Sequence, residues 1–115
     1  MTLSTHVLDA TTGRPAAGVR VLVERRAAGT WMQVGEALTG PDGRLDSRQG
    51  GWLPAGEQGP GVYRITFDSR SYFDGRGMAS FYPEISVCFD VASPAEHCHV
   101  PLLLSPFAYS TYRGS

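Results

Sequence analysis

Apolar and polar residues alternate in short segments along most of the chain, and glycine or proline separates one segment from the next. The clearest alternation occupies residues 84–91, and weaker forms occupy residues 3–9, 19–24, 31–39, 61–68, 97–104 and 107–112. A strand sends successive side chains to opposite faces of its sheet, so this spacing indicates half-buried β-strands. The pattern, with its 14 glycines and 8 prolines, predicts an all-β sandwich of seven or eight strands in two sheets.

Turn-forming residues separate these strands. Residues 13–15 (Gly-Arg-Pro) predict a turn after the first strand, and residues 40–43 (Gly-Pro-Asp-Gly) predict a second turn, followed by a very short strand over residues 44–46. Residues 47–61 are rich in glycine, proline and glutamine and predict the longest loop. The two residues Ser105 and Pro106 separate the last two strands, so these strands are expected to pair as a hairpin.

One short helix is expected between the strands at residues 61–68 and 84–91. Ser69 is a suitable N-cap for a helix that continues through Phe73. Gly75 follows at a position where a left-handed residue commonly ends a helix. No other segment of the sequence predicts a helix.

Two histidines are expected to point away from the sandwich core. His99 alternates with Val100, Leu102 and Leu104, which form the more apolar face of their strand, and His6 alternates with the residues of the first strand that are expected to be buried. The outward faces also carry leucines and the aromatic residues near the C-terminus. Apolar residues beside histidines on an outward face are typical of a cleft or a subunit interface, so we expect an oligomer.

The composition narrows the class of protein. With 115 residues, 42% of them hydrophobic, the chain fits one domain over residues 1–115 with a single core. Its ten cationic residues are all arginine and its net charge is −1, which argues against a nucleic-acid partner. No apolar run reaches the length of a membrane span, and the first residues lack the pattern of a secretory signal, so a cytoplasmic location is expected. Cys88 and Cys98 are expected to be reduced and structural.

Several residues could carry chemistry, although each has an ordinary structural explanation. A lone histidine is most often a surface or hydrogen-bonded residue, Arg44 follows a turn where a solvated side chain is common, and residues 112–115 are the last four, where a frayed tail is the ordinary interpretation. His97 and His99 share one face of a strand, and with His6 they form an alternative three-histidine zinc site. No acidic residue is evident in the sequence to orient such a site.

Four segments together resemble the family of 5-hydroxyisourate hydrolases, which are transthyretin-related enzymes of urate breakdown. The segments are LSTHVLD at residues 3–9, TGPDGR at 39–44, HCHVPLLLSP at 97–106 and YSTYRGS at 109–115. They follow the family's order from residue 3 to the last residue, and the terminal Tyr-Arg-Gly-Ser is the most specific of them. One departure is Cys98, where the family commonly has tyrosine, and this change affects local packing more than the expected chemistry.

The resemblance implies a transthyretin-like sandwich of two four-stranded sheets that assembles as a homotetramer, a dimer of dimers. It implies hydrolysis of 5-hydroxyisourate to 2-oxo-4-hydroxy-4-carboxy-5-ureidoimidazoline without a cofactor. The catalytic residues expected from it are His6, Arg44, His99 and Ser115. The residues expected to bind the substrate are His6, Arg44, Tyr112, Arg113 and Gly114.

Three other functions are compatible with parts of the sequence. A transthyretin-like carrier would hold a small ligand without reaction, although the Tyr-Arg-Gly-Ser ending and the histidines argue against it. A metal-dependent hydrolase would use the three histidines as ligands. A sugar-binding or adhesive sandwich domain would explain the fold but none of the site residues.

Overall fold

The computed structural model describes residues 1–54 and 58–115, and strands dominate this part of the chain. The strands are β1 (Thr2–Asp9), β2 (Arg14–Pro15), β3 (Arg20–Ala27), β4 (Thr30–Leu38), β5 (Arg44–Asp46), β6 (Gly61–Phe67), β7 (Ile85–Val91), β8 (His97–His99), β9 (Leu102–Leu104) and β10 (Tyr109–Thr111). A 3-10 turn covers Ser47–Gln49, and one α-helix, α1, covers Ser69–Asp74. The structure therefore confirms the all-β class with a short helix.

The first sheet is arranged around β1. On one side, β8 and β9 both run parallel to β1, and β10 continues the sheet by pairing antiparallel with β9. On the other side, β5 and β2 pair antiparallel with different parts of β1. The six segments of this sheet thus fill four strand positions, because β8 and β9 follow one line and β5 and β2 follow another.

The second sheet contains four antiparallel strands in the order β4, β3, β6, β7. Its inner face packs against the inner face of the first sheet, as two amphipathic sheets must if both are to remove their apolar faces from water. Fully buried residues of both sheets fill the space between them, and they include Leu3, Val7, Val21, Val23, Tyr63, Ile65, Phe67, Leu102 and Leu104. Helix α1 adds Tyr72 and Phe73 to this core. Among the described residues, no helix has the length and apolar character needed to cross a membrane.

The predicted direction of the alternating side chains is confirmed. Leu102 and Leu104 are buried, whereas Leu103 between them is exposed, and His99 lies on the outward side of its strand while Val100 is buried. His6 is partly exposed between the buried residues Thr5 and Val7. The outward face of the first sheet therefore carries the histidines.

Two strand predictions need correction. The predicted strand over residues 97–104 is divided into β8 and β9, because Pro101 lacks the N–H that would continue the ladder. Its hairpin with the last strand is confirmed, but the connection covers residues 105–108 because β10 begins only at Tyr109. Of the predicted loop over residues 47–61, the first three residues form the 3-10 turn, and residues 55–57 lie outside the described part.

The helix prediction was right in position and wrong in its caps. Asp68 is the N-cap, and its carboxylate accepts a hydrogen bond from the Ser71 N–H at 3.2 Å. The Ser69 hydroxyl instead donates to the carbonyl of Tyr82. Gly75 is right-handed, and the left-handed glycine is Gly77 with φ 67°. Aspartate and serine are both good caps, so their order in the sequence did not distinguish them.

Candidate active site

The central position of β1 brings the predicted site residues of three strands together. In the antiparallel pair with β5, His6 is directly opposite Arg44. In the parallel pair with β8, Ser4 is aligned with His99, and Thr2 is aligned with His97. Because residues aligned across neighbouring strands point to the same face, one outward face of the sheet carries these side chains in adjacent rows.

A tight turn places Arg44 at the start of β5. The carboxylate of Asp42 accepts a hydrogen bond from the Arg44 N–H at 3.0 Å, and the carbonyl of Gly43 accepts one from the Val7 N–H at 2.8 Å. Gly43 has φ 75°, and a Cβ there would collide with the carbonyl oxygen of Val7. Glycine is thus required both by the backbone conformation and by the closeness of β1.

The chain's last residues dock beside His99. The Gly114 N–H donates to the carbonyl of His99 at 2.8 Å, and the two residues form an antiparallel bridge. A Cβ at Gly114 would collide with the His99 ring and lie 3.2 Å from the Cγ atom of Pro101. Only glycine allows the tail to approach the histidine this closely, and this approach brings Ser115 to the site.

A cavity of about 560 Å³ lies over this face. Three of the predicted catalytic residues line it, namely Arg44, His99 and Ser115. Its walls also include His97, which the sequence offers only as a possible metal ligand, and residues to which the sequence assigns no site role: Ser4, Thr5, Gly40, Asp42, Leu45, Asp46, Arg48 and Gln49. The lining is largely polar, as expected for a site that receives a small hydrogen-bonding molecule.

His6 lies beside this cavity rather than in its lining. Its ring Nε2 is 2.9 Å from the carbonyl oxygen of Asp42. A carbonyl can only accept, so Nε2 carries a proton and donates it, which leaves Nδ1 of the neutral ring as the nitrogen that can accept. His6 is therefore fixed to the same turn that positions Arg44.

Tyr112 and Arg113 face a second cavity in the single chain. This cavity, of about 330 Å³, lies between β7 and the C-terminal segment and includes Cys88, Cys98 and both of these residues in its lining. The guanidinium of Arg113 forms an ion pair with Glu96, with Nη2 and Oε1 at 2.9 Å. The single chain thus brings Ser115, but not Tyr112 or Arg113, into the lining of the cavity that contains Arg44.

Hydroxyl groups connect the histidines, and sequence reasoning missed them. The hydroxyl of Ser4 is 2.7 Å from Nδ1 of His99 and 3.1 Å from Nε2 of His97. The hydroxyl of Thr2 is 2.5 Å from Nδ1 of His97. Thr2, Ser4 and His6 are at alternate positions of β1, so the strand period could have placed both hydroxyls on the histidine face.

Electrostatics on this face favour a neutral His99. Burial lowers the pKa of His99 below the ordinary value of 6.5, and the nearby cation Arg44 lowers it further. The carboxylate of Asp46 is already occupied, since Arg48 contacts both of its oxygens and lowers its pKa. The site therefore combines a neutral imidazole with an arginine that has no carboxylate partner among the described ion pairs.

The three-histidine zinc alternative does not match this geometry. Within residues 1–54 and 58–115, no three histidine, cysteine, aspartate or glutamate side chains are arranged to hold one metal ion. The Nε2 atom of His6 is directed at a backbone carbonyl, whereas nitrogens of His97 and His99 face the Ser4 hydroxyl. The nitrogens of His97 and His99 thus meet at a hydroxyl oxygen while that of His6 is directed at another group, so the three do not converge on one point.

Comparison with known proteins identifies the family. The HIUase/Transthyretin family profile matches residues 3–114. The chain is 44% identical over 113 residues to a 5-hydroxyisourate hydrolase of Salmonella typhimurium. The alignment covers 98% of this chain and 80% of that relative. The structure of Klebsiella pneumoniae 5-hydroxyisourate hydrolase is similar with a TM-score of 0.84 and 32% identity, covering 100% of both chains. The crystal structure of transthyretin from Sparus aurata is similar with a TM-score of 0.87 and 33% identity, covering 97% of this chain and 95% of that chain. The chain belongs to the HIUase/transthyretin family.

Proposed function

We propose that this chain is a hydrolase that opens 5-hydroxyisourate to 2-oxo-4-hydroxy-4-carboxy-5-ureidoimidazoline in urate breakdown. The observation that carries the proposal is the cavity shared by Arg44, His99 and Ser115. The relatives named 5-hydroxyisourate hydrolase support the substrate class. The likeness to transthyretin supports the fold equally well, so the choice of function depends on these polar residues.

The proposed reaction is the hydrolysis of a cyclic amide. The water oxygen bonds to the ring carbonyl carbon, and the ring carbon–nitrogen bond breaks. One water proton passes to a histidine and is returned to the leaving nitrogen, so the product gains a carboxyl group and a free ureido group. A histidine is suited to this exchange because its neutral and protonated forms are close in free energy near neutral pH.

His99 is the proposed base. It lines the cavity, and its lowered pKa keeps the imidazole neutral and able to accept a proton. His6, aligned with Arg44 across β1 and β5, is the proposed second member of the pair, and it positions the water or transfers its proton.

Arg44 and the last residues complete the proposed site. The guanidinium of Arg44 would hold the urate-like ring and stabilise the negative charge that develops on the carbonyl oxygen, using planar N–H donors. Ser115 would orient the water or a histidine through its hydroxyl or its carboxylate. Gly114 supports His99 through the backbone bridge. Substrate binding by Tyr112 and Arg113 remains a prediction.

We further propose a homotetramer in the cytoplasm. Large apolar side chains are exposed at the C-terminal edge of the first sheet and near it: Phe81 at 68%, Phe107 at 67%, Tyr112 at 58%, Leu103 at 40% and Tyr109 at 40%. A patch of this kind is typical of a surface that a second subunit covers.

The cysteines support the proposed cytoplasmic location. The free thiols of Cys88 and Cys98 suit a reducing compartment. Fractionation of source cells tests the location, and recovery of the protein outside the cytoplasmic fraction would contradict it.

An absorbance assay on freshly made 5-hydroxyisourate tests the proposed activity. The protein should consume the substrate faster than its spontaneous decay, and Arg44→Ala and His99→Asn should each lower kcat/KM by roughly a hundredfold or more. Arg14→Ala, at an exposed position of β2, is a matched arginine control and should leave the rate unchanged. Binding of a urate analogue without turnover would favour the carrier function instead.

A further inference from the structure

A chain of hydrogen bonds connects His99 to residues that the proposed reaction has not used. It runs from the hydroxyl of Thr2 to His97, from His97 to the hydroxyl of Ser4, and from Ser4 to Nδ1 of His99, over distances of 2.5, 3.1 and 2.7 Å. Ser4 is only 7% exposed, so water has little access to compete for its hydroxyl. Because the Ser4 hydroxyl is buried and bonded to both imidazoles, it limits the orientation of the His99 ring.

The strand register explains why one serine reaches two imidazoles. β1 and β8 run parallel, Ser4 is aligned with His99, and His97 projects from the same face two residues earlier. The hydroxyl of Ser4 therefore lies between the two rings. Alanine at this position would preserve the strand and remove only the bridge.

Proton counting restricts the states of this chain. A serine hydroxyl has one proton, so it can donate to one ring and accept from the other. If His99 carries its proton on Nδ1, it donates to Ser4, Ser4 donates to Nε2 of His97, and His97 donates to Thr2. If every bond is reversed, Ser4 donates to His99, whose proton is then on Nε2 at the other side of the ring.

The availability of the two ring nitrogens distinguishes these states. Nδ1 of His99 is held by the Ser4 hydroxyl at 2.7 Å, whereas none of the described side-chain hydrogen bonds of His99 involves Nε2. The nitrogen that accepts a proton from water needs a free lone pair. A proton on Nδ1, donated to Ser4, leaves Nε2 with that lone pair.

We propose that Ser4 and His97 are positioning residues that hold the proton of neutral His99 on Nδ1, so that Nε2 is the nitrogen that accepts the water proton. The consequence for activity rests on the proposed hydrolase function. The position of the proton is a property of the free protein and can be measured without substrate.

The experiment combines kinetics with ¹⁵N NMR of histidine-labelled protein at a pH well above the ordinary histidine pKa. In the wild type, the His99 resonances should show a protonated Nδ1 and an unprotonated Nε2. Ser4→Ala should move the population toward a proton on Nε2 and lower kcat by about ten- to a hundredfold, the range for losing a partner that orients a histidine, with KM nearly unchanged. Ser4→Thr retains a hydroxyl and should restore both properties.

Two further variants distinguish a positioning effect on His99 from a general loss of structure. His97→Phe should shift the His99 tautomer in the same direction, and its kinetic effect should be less than additive with that of Ser4→Ala because both act through one bridge. Ser86→Ala removes a strand hydroxyl that bonds Thr66 on the outward face of the second sheet, and it should change neither quantity. Circular dichroism checks that each variant is folded.

The outcomes distinguish the two proposals. If the wild type does not consume 5-hydroxyisourate, the proposed function fails, while the tautomer shift in Ser4→Ala still supports the bridge. If the wild type is active and Ser4→Ala keeps both its kcat and its His99 tautomer, the positioning role is overturned. A lower kcat with an unchanged tautomer overturns it as well.

Discussion

The base strength of His99 is determined by its surroundings rather than by its chemistry alone. Burial removes the imidazolium from water, and Arg44 repels it, so the pKa of His99 lies below 6.5. The neutral form therefore persists to lower pH than it would in free histidine. Acid should inactivate the enzyme only when the pH falls through this lowered pKa.

The pH dependence of kcat/KM gives the first prediction at the scale of residues. Its acidic limb should have an apparent pKa below 6.5, because kcat/KM reports the ionisation of the free enzyme. Arg44→Gln should move this limb toward higher pH while lowering the plateau, since one repelling cation is lost and burial remains. An acidic limb at or above 6.5 in the wild type, or a limb that does not move in the variant, would contradict the role of His99 as the base.

At the same scale, the sequence predicts part of this site but not the groups that connect it. Of the residues that the family resemblance implies, Arg44, His99 and Ser115 line one cavity, whereas Tyr112 and Arg113 line another. The Ser4 hydroxyl is not predicted, because its role depends on the alignment of β1 with β8, which are more than 90 residues apart along the chain. Serine in a strand is too common to be noticed before that pairing is known.

At the scale of elements, the turn before β5 connects backbone conformation with chemistry. Gly43 and Gly29 have similar positive φ values of 75° and 80°. A Cβ at Gly43 would collide with the carbonyl of Val7, whereas a Cβ at Gly29 would meet nothing within 4 Å. The pair therefore separates the cost of the left-handed conformation from the cost of the close contact.

The second prediction compares these two glycines. Gly29→Ala should lower the free energy of unfolding by about 1–2 kcal/mol through conformation alone and leave kcat/KM unchanged. Gly43→Ala should lower the free energy of unfolding by about 1–3 kcal/mol more than Gly29→Ala does, because the added Cβ overpacks the contact with β1. This variant should also lower kcat/KM, because the turn that carries Arg44 must move. Denaturant titration and the absorbance assay measure the two effects, and equal losses of activity in both variants would contradict this account.

The alternation of residues predicted strand positions well because burial itself has a period of two. β1, β4 and β7 each begin and end within one residue of the segments proposed from the sequence. The interruption at Pro101 was visible in the sequence, but a proline at a strand edge and a proline that divides a strand look alike without the partner strand. The parallel pairing of β1 with β8 and β9 is a long-range property that no local pattern specifies.

At the scale of the whole molecule, the exposed apolar side chains near β10 provide a test of assembly. Phe107 is 67% exposed, and burying such a ring against another subunit would contribute about 1.5–3 kcal/mol at each contact. The third prediction is that light scattering gives the mass of a tetramer and that Phe107→Glu shifts it to smaller species without altering the circular dichroism spectrum. The neighbouring exchange Ser110→Glu, at an exposed strand position, controls for added charge. A wild-type monomer at micromolar concentration would contradict the proposed tetramer.

The last prediction concerns the C-terminal residues, which connect the fold to the site. Ser115 lines the cavity with Arg44, and Gly114 is fixed to His99 by a single bridge, so residues added after Ser115 must either enter the cavity or pull the tail away from His99. Such an extension should lower kcat/KM by roughly a hundredfold, the size of effect expected when a reacting group is displaced by about 1 Å. Thermal stability should change little, because the core does not include these residues.

The same peptide inserted between Ala28 and Gly29, at an exposed hairpin, is the matched control and should leave the activity intact. Full activity in the extended protein would show that Ser115 does not act in the site.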